Sequence, residues 1–155
     1  MNPLLKILPP IWFFIFLGLG LLAHFFVPAS RVFDISSPLG WIAGGVLFAA
    51  SFGLSLYASG IFSKEKTEIL PISETNRVLV TYGPYEYTRN PMYMGMVGQL
   101  VGVALMCMGS LPLLLAALAD FLVLNFVFIP FEEAKMQRLF GESYASYRSK
   151  VRRWL

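Results

Sequence analysis

Four apolar runs separated by short polar segments set the plan of this chain. Residues 11–27, 39–62, 91–109 and 111–131 are almost wholly apolar. At about 1.5 Å of rise per helical residue, each crosses or nearly crosses a hydrocarbon layer about 30 Å thick. The ends are punctuated by Pro9-Pro10, Pro28, Pro38 and Gly109-Ser110-Leu111-Pro112, and the last of these turns the third and fourth runs into a tight hairpin. A secretory signal is the rival reading of the first run, because Val27-Pro28-Ala29 loosely resembles a cleavage site; we read the run as a retained anchor. Beyond residue 131 the pattern changes. Apolar or aromatic residues at 136, 139, 140, 144, 147 and 151 alternate with basic ones, the spacing of an amphipathic helix lying on the membrane over 134–155, interrupted at Gly141. The expected fold class is an all-α integral membrane protein with about four transmembrane helices plus a C-terminal amphipathic helix. It forms one domain over 1–155: two N-terminal spans in 1–62, a cytoplasmic loop over 63–90, a helical hairpin over 91–131 and a tail over 132–155.

Within the spans, small residues predict close helix packing. Gly40 and Gly44 stand four apart, Gly45, Ala49 and Gly53 form a row on one face, and Gly98 and Gly102 repeat the spacing in the third run, where room for a ligand beside the backbone is the alternative. The loop 63–90 mixes charges and holds Val78-Leu79-Val80, which suits a short extended stretch. Asp120 and Asn125 lie inside the fourth run. Such residues face a bundle or cavity, and pairing of Asp120 with Gln99 across the hairpin is the expectation, with a place along an acceptor tunnel as the alternative. His24, near the end of the first run, reads as a capped or interfacial histidine.

Composition strengthens the membrane assignment. Of 155 residues, 57% are hydrophobic and 14% charged, against roughly 25% charged in ordinary soluble domains. One cysteine, Cys107, excludes an internal disulfide. The basic residues flank apolar runs and form no separate basic domain, which argues against nucleic acid. No metal-ligand pattern is present. If both termini share a side, that side holds Lys6, four basic residues of the loop and six of the tail, while the other holds Arg31. The positive-inside rule then places both termini, loop and tail in the cytoplasm.

The stretch from Gly83 to Gly95 carries the candidate chemistry. Asn90 is a favourable helix N-cap and Pro91 suits the first helical position. Arg89 and the tyrosines at 85, 87 and 93 gather at the positive end of a helix, where carboxylates and phosphates bind readily. Arg89 and Glu132 lie equally far from the hairpin turn, so antiparallel helices set Arg89, Asn90, Glu132 and Glu133 at one depth near the surface. Two readings are open from the chemistry alone: an active site, or Arg–Glu pairs and tyrosines anchored among lipid headgroups.

The order Gly83-Pro84-Tyr85-x-Tyr87-x-Arg89-Asn90-Pro91-x-Tyr93-x-Gly95, a span pair, Glu132-Glu133, then Phe140-Gly141-x-x-Tyr144-x-x-Tyr147 resembles the isoprenylcysteine carboxyl methyltransferase and phospholipid methyltransferase superfamily of membrane enzymes. Arg-x-Pro-x-Tyr-x-Gly alone arises by chance in roughly one chain per thousand of this size at about 5% usage per residue type. The resemblance covers about residues 67–153. It implies methyl transfer from S-adenosylmethionine to a lipid or small amphiphilic acceptor at the cytoplasmic face of a multi-pass membrane protein, expected in a bacterial inner membrane. Carried over by motif, Tyr87, Arg89, Asn90, Pro91, Tyr93 and Gly95 form one wall of the cofactor pocket and Glu132 and Glu133 supply the other, with Arg89 and Glu132 in the catalytic roles. Two positions depart from the carboxyl methyltransferases. Asn90 stands where they usually carry histidine, and Asn90 is no base. Phe128 stands where they tend to carry arginine, so a carboxylate acceptor loses one clamp, and the expected acceptor is a lipid or amphiphile in preference to a prenylated protein. The competing readings are a nicotinamide-dependent membrane lipid or sterol reductase and a non-catalytic lipid-binding membrane protein.

Overall fold

The computed structural model describes residues 3–27, 37–65 and 78–155. The described residues contain no strand; a single isolated bridge joins Thr88 to Arg152. The helices are α1 (Pro9–Phe26), α2 (Ser37–Lys64), α3 (Pro91–Met106), α4 (Leu111–Val123) and α5 (Ile129–Lys150), with 3-10 turns at Pro3–Lys6 and Gly83–Glu86. Most of the inter-helix loops, including Arg31, Asp34, Pro28-Ala29 and the charged residues 66–77, lies outside the described residues. Val78–Val80 is irregular and pairs with no strand.

Among the described residues, three helical runs are long and apolar enough to cross a membrane: Pro9–Phe26, Pro38–Lys64 and Leu111–Lys150. α3 is apolar but shorter. It stops at Met106, before residue 109 where the apolar run ends, because Met108 and Gly109 turn left-handed (φ 56° and 68°). The Gly109 and Ser110 N–H groups then both donate to the Ala104 carbonyl and close the helix end. α1 begins earlier than the apolar pattern, with Pro9 and Pro10 inside its first turn, where proline's missing N–H is no loss.

The fourth span and the tail form one continuous helical run of 40 residues. Leu124–Phe128 is a π-turn, in which the Ile129 N–H donates to the Leu124 carbonyl five residues back. Pro130 supplies the reason. It offers no N–H to the Phe126 carbonyl, and its ring would collide with that oxygen in a regular helix, so the wider turn absorbs the conflict. The break expected at Gly141 is present (φ 52°, ψ −122°).

α3 is the central helix, packed on α2 along one side and on α4 along the other, with α1 against α4. Its glycines 95, 98 and 102 form one stripe facing α2. A Cβ on Gly44 would stand 2.5 Å from the Gly102 carbonyl oxygen, and one on Gly102 2.9 Å from the Gly44 oxygen. The backbones therefore touch here, and dispersion over this contact holds the pair together in lipid. The row of Gly45, Ala49 and Gly53 is a correction to the sequence reading: a Cβ on Gly45 or Gly53 meets nothing within 4 Å, and Ala49 is exposed. The face of α2 that packs runs instead through Gly44, Ser51 and Ser55. At the far end of the bundle His24 Nδ1 lies 2.9 Å from Ser110 Oγ, joining α1 to the hairpin turn, which settles the histidine as a satisfied structural one.

Asp120 does not pair with Gln99. The Gln99 amide donates to Ser55 Oγ on α2 (3.4 Å), and both Asp120 carboxylate oxygens are buried without a hydrogen-bond partner. Asn125 is satisfied, by Arg153 and Trp154 of the C-terminal segment.

Candidate active site

The site lies where α1 and α3 begin, α2 ends and the first turns of α5 run past them. Pro91 opens α3 and Asn90 occupies the N-cap, but the Asn90 side chain does not cap the helix. Its amide donates instead to the Arg153 carbonyl (2.9 Å), and its backbone N–H donates to Thr88 Oγ1 (3.2 Å). The first-turn N–H groups of α3 thus have no side-chain cap, and a helix N-terminus in that state favours an anion.

Arg89 is held from three sides. Its backbone N–H donates to the Arg152 carbonyl (3.0 Å), and its Nη1 lies 3.1 Å from Glu133 Oε1 and 3.3 Å from the Tyr144 hydroxyl. Its Nε–H is buried with no partner. Across the hairpin the Tyr93 hydroxyl donates to Glu132. Arg89, Asn90, Tyr93, Glu132 and Glu133 therefore do meet at one level, as equal distance from the turn requires.

These residues line a cavity of about 220 Å³, just below the roughly 300–1,000 Å³ common for small-molecule sites. Pro9, Phe62, Met92, Met96 and Met136 give it an apolar side, and Tyr144 and Tyr147 close it from α5. Tyr85 also lines it. Its hydroxyl is buried without a partner, and burial pushes its pKa far above the ordinary phenol range.

Three of the residues named from the motif sit differently than expected. Tyr87 is exposed (73%) and outside the cavity, because the 3-10 turn Gly83–Glu86 points its neighbour Tyr85 inward and Tyr87 outward. Gly95 is away from the cavity, where a Cβ would collide with Ser55 and Ser51 of α2; it is a packing residue. Glu133 lines the cavity, but its carboxylate is occupied by arginines. Arg153 reaches it with Nε (3.1 Å) and Nη2 (2.8 Å), Arg89 shares Oε1, and Arg148 stands 3.9 Å from Oε2.

Two contributors were not singled out in the sequence. Lys135, buried and lining the cavity, brings a cation to the neighbourhood of Glu132; its position one turn after Glu132 on α5 was the available signal. Arg153 had no such signal, since its contacts span 20 residues or more in sequence.

The phospholipid methyltransferase family model matches residues 39–143. The chain belongs to the phospholipid methyltransferase family. The match takes in all but the first two residues of α2, all of α3 and α4, and α5 as far as residue 143, and so includes Arg89–Tyr93, Glu132 and Glu133; α1 and the segment from Tyr144 onward lie outside it. No curated protein and no solved structure matches the chain. Membership agrees with the helical membrane architecture and makes this family member a membrane methyltransferase with lipid as its class of acceptor. Among the described residues no cluster of His, Cys, Asp or Glu is placed to hold a metal ion.

Proposed function

We propose that this chain transfers a methyl group from S-adenosylmethionine to a lipid or small amphiphile at the cytoplasmic face of its membrane. The observation that carries the reading is a cavity at the boundary of the spans that joins two unpartnered donors, Arg89 Nε–H and the Tyr85 hydroxyl, to the carboxylate of Glu132. A buried donor without a partner loses roughly 1–3 kcal/mol, and a ligand carboxylate or hydroxyl recovers it. The donor set fits the cofactor. Arg89 and the α3 N-terminus suit its carboxylate, and Glu132 and the tyrosine faces suit its ammonium and sulfonium charges.

When bound, the cofactor supplies an electrophilic methyl group. The chain's own work is positioning and exclusion of water. Arg89 and Asn90–Tyr93 orient one end of the ligand, and the apolar side built from α1, α2 and three methionines accepts the body of an amphiphile. Glu132 is the group that takes a proton from the acceptor, since Asn90 has no basic atom and Glu133 is engaged by arginines. Eleven of twelve basic residues on one side of the spans support the cytoplasmic orientation.

The test is binding and turnover. Purified protein should bind S-adenosylhomocysteine in preference to reduced nicotinamide dinucleotide, and should label a membrane lipid from a methyl-labelled donor. Preference for the nicotinamide would overturn the reading in favour of a reductase, and binding without turnover would leave a lipid-binding protein.

A further inference from the structure

The last residues of the chain do something the amphipathic pattern does not suggest. α5 ends at Lys150, and Val151 turns extended (φ −114°, ψ 131°). The next residues run back along the entry to α3. Thr88 and Arg152 form a parallel bridge, the Arg89 N–H donates to the Arg152 carbonyl (3.0 Å), and the Arg153 carbonyl accepts both Thr88 Oγ1 (3.1 Å) and the Asn90 amide (2.9 Å). The side chains point the other way, onto the π-turn. Arg153 Nη1 and Trp154 Nε1 share Asn125 Oδ1 at 3.3 and 3.0 Å, and the Trp154 ring lies 4.9 Å from that of Phe121. Between these anchorages the Arg153 fork engages both oxygens of Glu133.

Arg153 does not line the cavity. We infer that Arg153 is a positioning residue: by occupying Glu133 and pinning residues 88–90, it fixes the Arg89 guanidinium with its Nε–H unpaired at the cavity wall. Without it, Glu133 is free to take both arms of Arg89 in a two-point pair and to turn Arg89 away from a ligand. Arg148, 3.9 Å away and half-exposed, is too distant to replace a bidentate partner. The C-terminal segment thus backs the site's wall from behind without lining it, and its arginines are not all available to lipid headgroups. This inference rests on the cofactor reading above only for the identity of the ligand.

Hydrogen exchange, S-adenosylhomocysteine affinity and melting temperature, measured on the full chain in detergent for R153Q, R153K, R89A and R89A/R153Q, test it. R153Q should speed exchange of the amides at 88–90 and weaken S-adenosylhomocysteine binding at least about ten-fold, as loss of a charge-assisted contact predicts. R153K, which keeps the charge but not the fork, should recover binding only in part. R89A/R153Q should bind no more weakly than R89A, because Arg153 acts through Arg89. Additive losses, unchanged exchange in R153Q, or full recovery in R153K would each overturn the inference. If the wild-type chain binds no S-adenosylhomocysteine, the cofactor reading fails on its own, and the exchange result alone decides whether Arg153 holds the Arg89 segment.

Discussion

Asp120 is an expensive side chain: wholly buried within a span, with neither carboxylate oxygen hydrogen-bonded. Burial of an unpartnered polar group costs roughly 1–3 kcal/mol by mutational measures. Asp120→Leu should therefore raise the melting temperature of the detergent-solubilised protein, and a fall would reveal a polar partner for the carboxylate. The Tyr93–Glu132 pair makes a different prediction. Glu132→Gln keeps the shape and the acceptor oxygen but removes the basic atom and the charge, so turnover should drop by about 10²–10⁴-fold, the usual range for a general base, and by more than S-adenosylhomocysteine affinity, which loses only one charge-assisted contact. Equal losses in both would make Glu132 a binding residue only. Tyr85 makes a prediction at alkaline pH. Burial disfavours its phenolate, so its folded pKa lies above the unfolded value near 10. Its contribution is complete below about pH 10 and is lost as pH rises beyond that. Tyr85→Phe should flatten the alkaline limb of stability against pH, measured by thermal melts between pH 9 and 11.

At the scale of the elements, the contact between α2 and α3 rests on glycines whose missing side chains let two backbones meet. Gly44→Ala places a methyl group 2.5 Å from the Gly102 oxygen, and neither helix can yield without losing the stripe. Overpacking of this kind costs about 1–3 kcal/mol. Gly45→Ala, one residue away and facing open space, should fall within about 0.5 kcal/mol of wild type. Melting both variants side by side checks the assignment of faces, and a larger loss at Gly45 would reverse it. The π-turn before Pro130 also belongs to this scale. Its wider turn offsets the missing N–H and lies where Asn125 receives Arg153 and Trp154, so one proline's conflict and the docking of the C-terminal segment are met in the same place.

For the whole molecule, the start of α1, the end of α2, the start of α3 and the first turns of α5 all border one cavity, while His24 and Ser110 meet at the other end. We propose four crossings with both termini on the cavity side. Reporter fusions after Leu155 and within residues 28–38 should give opposite signals, and same-side signals would dismiss this arrangement.

What the sequence by itself determined was local or periodic. Runs of apolar residues marked the spans, Pro91 marked the start of α3, Gly141 marked the break in α5, and equal counting from the hairpin turn brought Arg89 and Asn90 level with Glu132 and Glu133. Each depends on helical rise or on backbone stereochemistry, which residue order encodes directly. Tertiary structure alone decided which face of α2 carries the packing, because two small-residue rows on one helix are equivalent until a partner chooses between them. It likewise decided that Tyr87 and Gly95 stand outside the cavity, and that Asn90 gives its amide to Arg153 where a cap was expected. Glu133 is the clearest instance. As a residue type beside Glu132 it was an equal candidate for a ligand, but its carboxylate went to Arg153, whose approach depends on a chain reversal after Lys150 that no periodicity in the sequence announces.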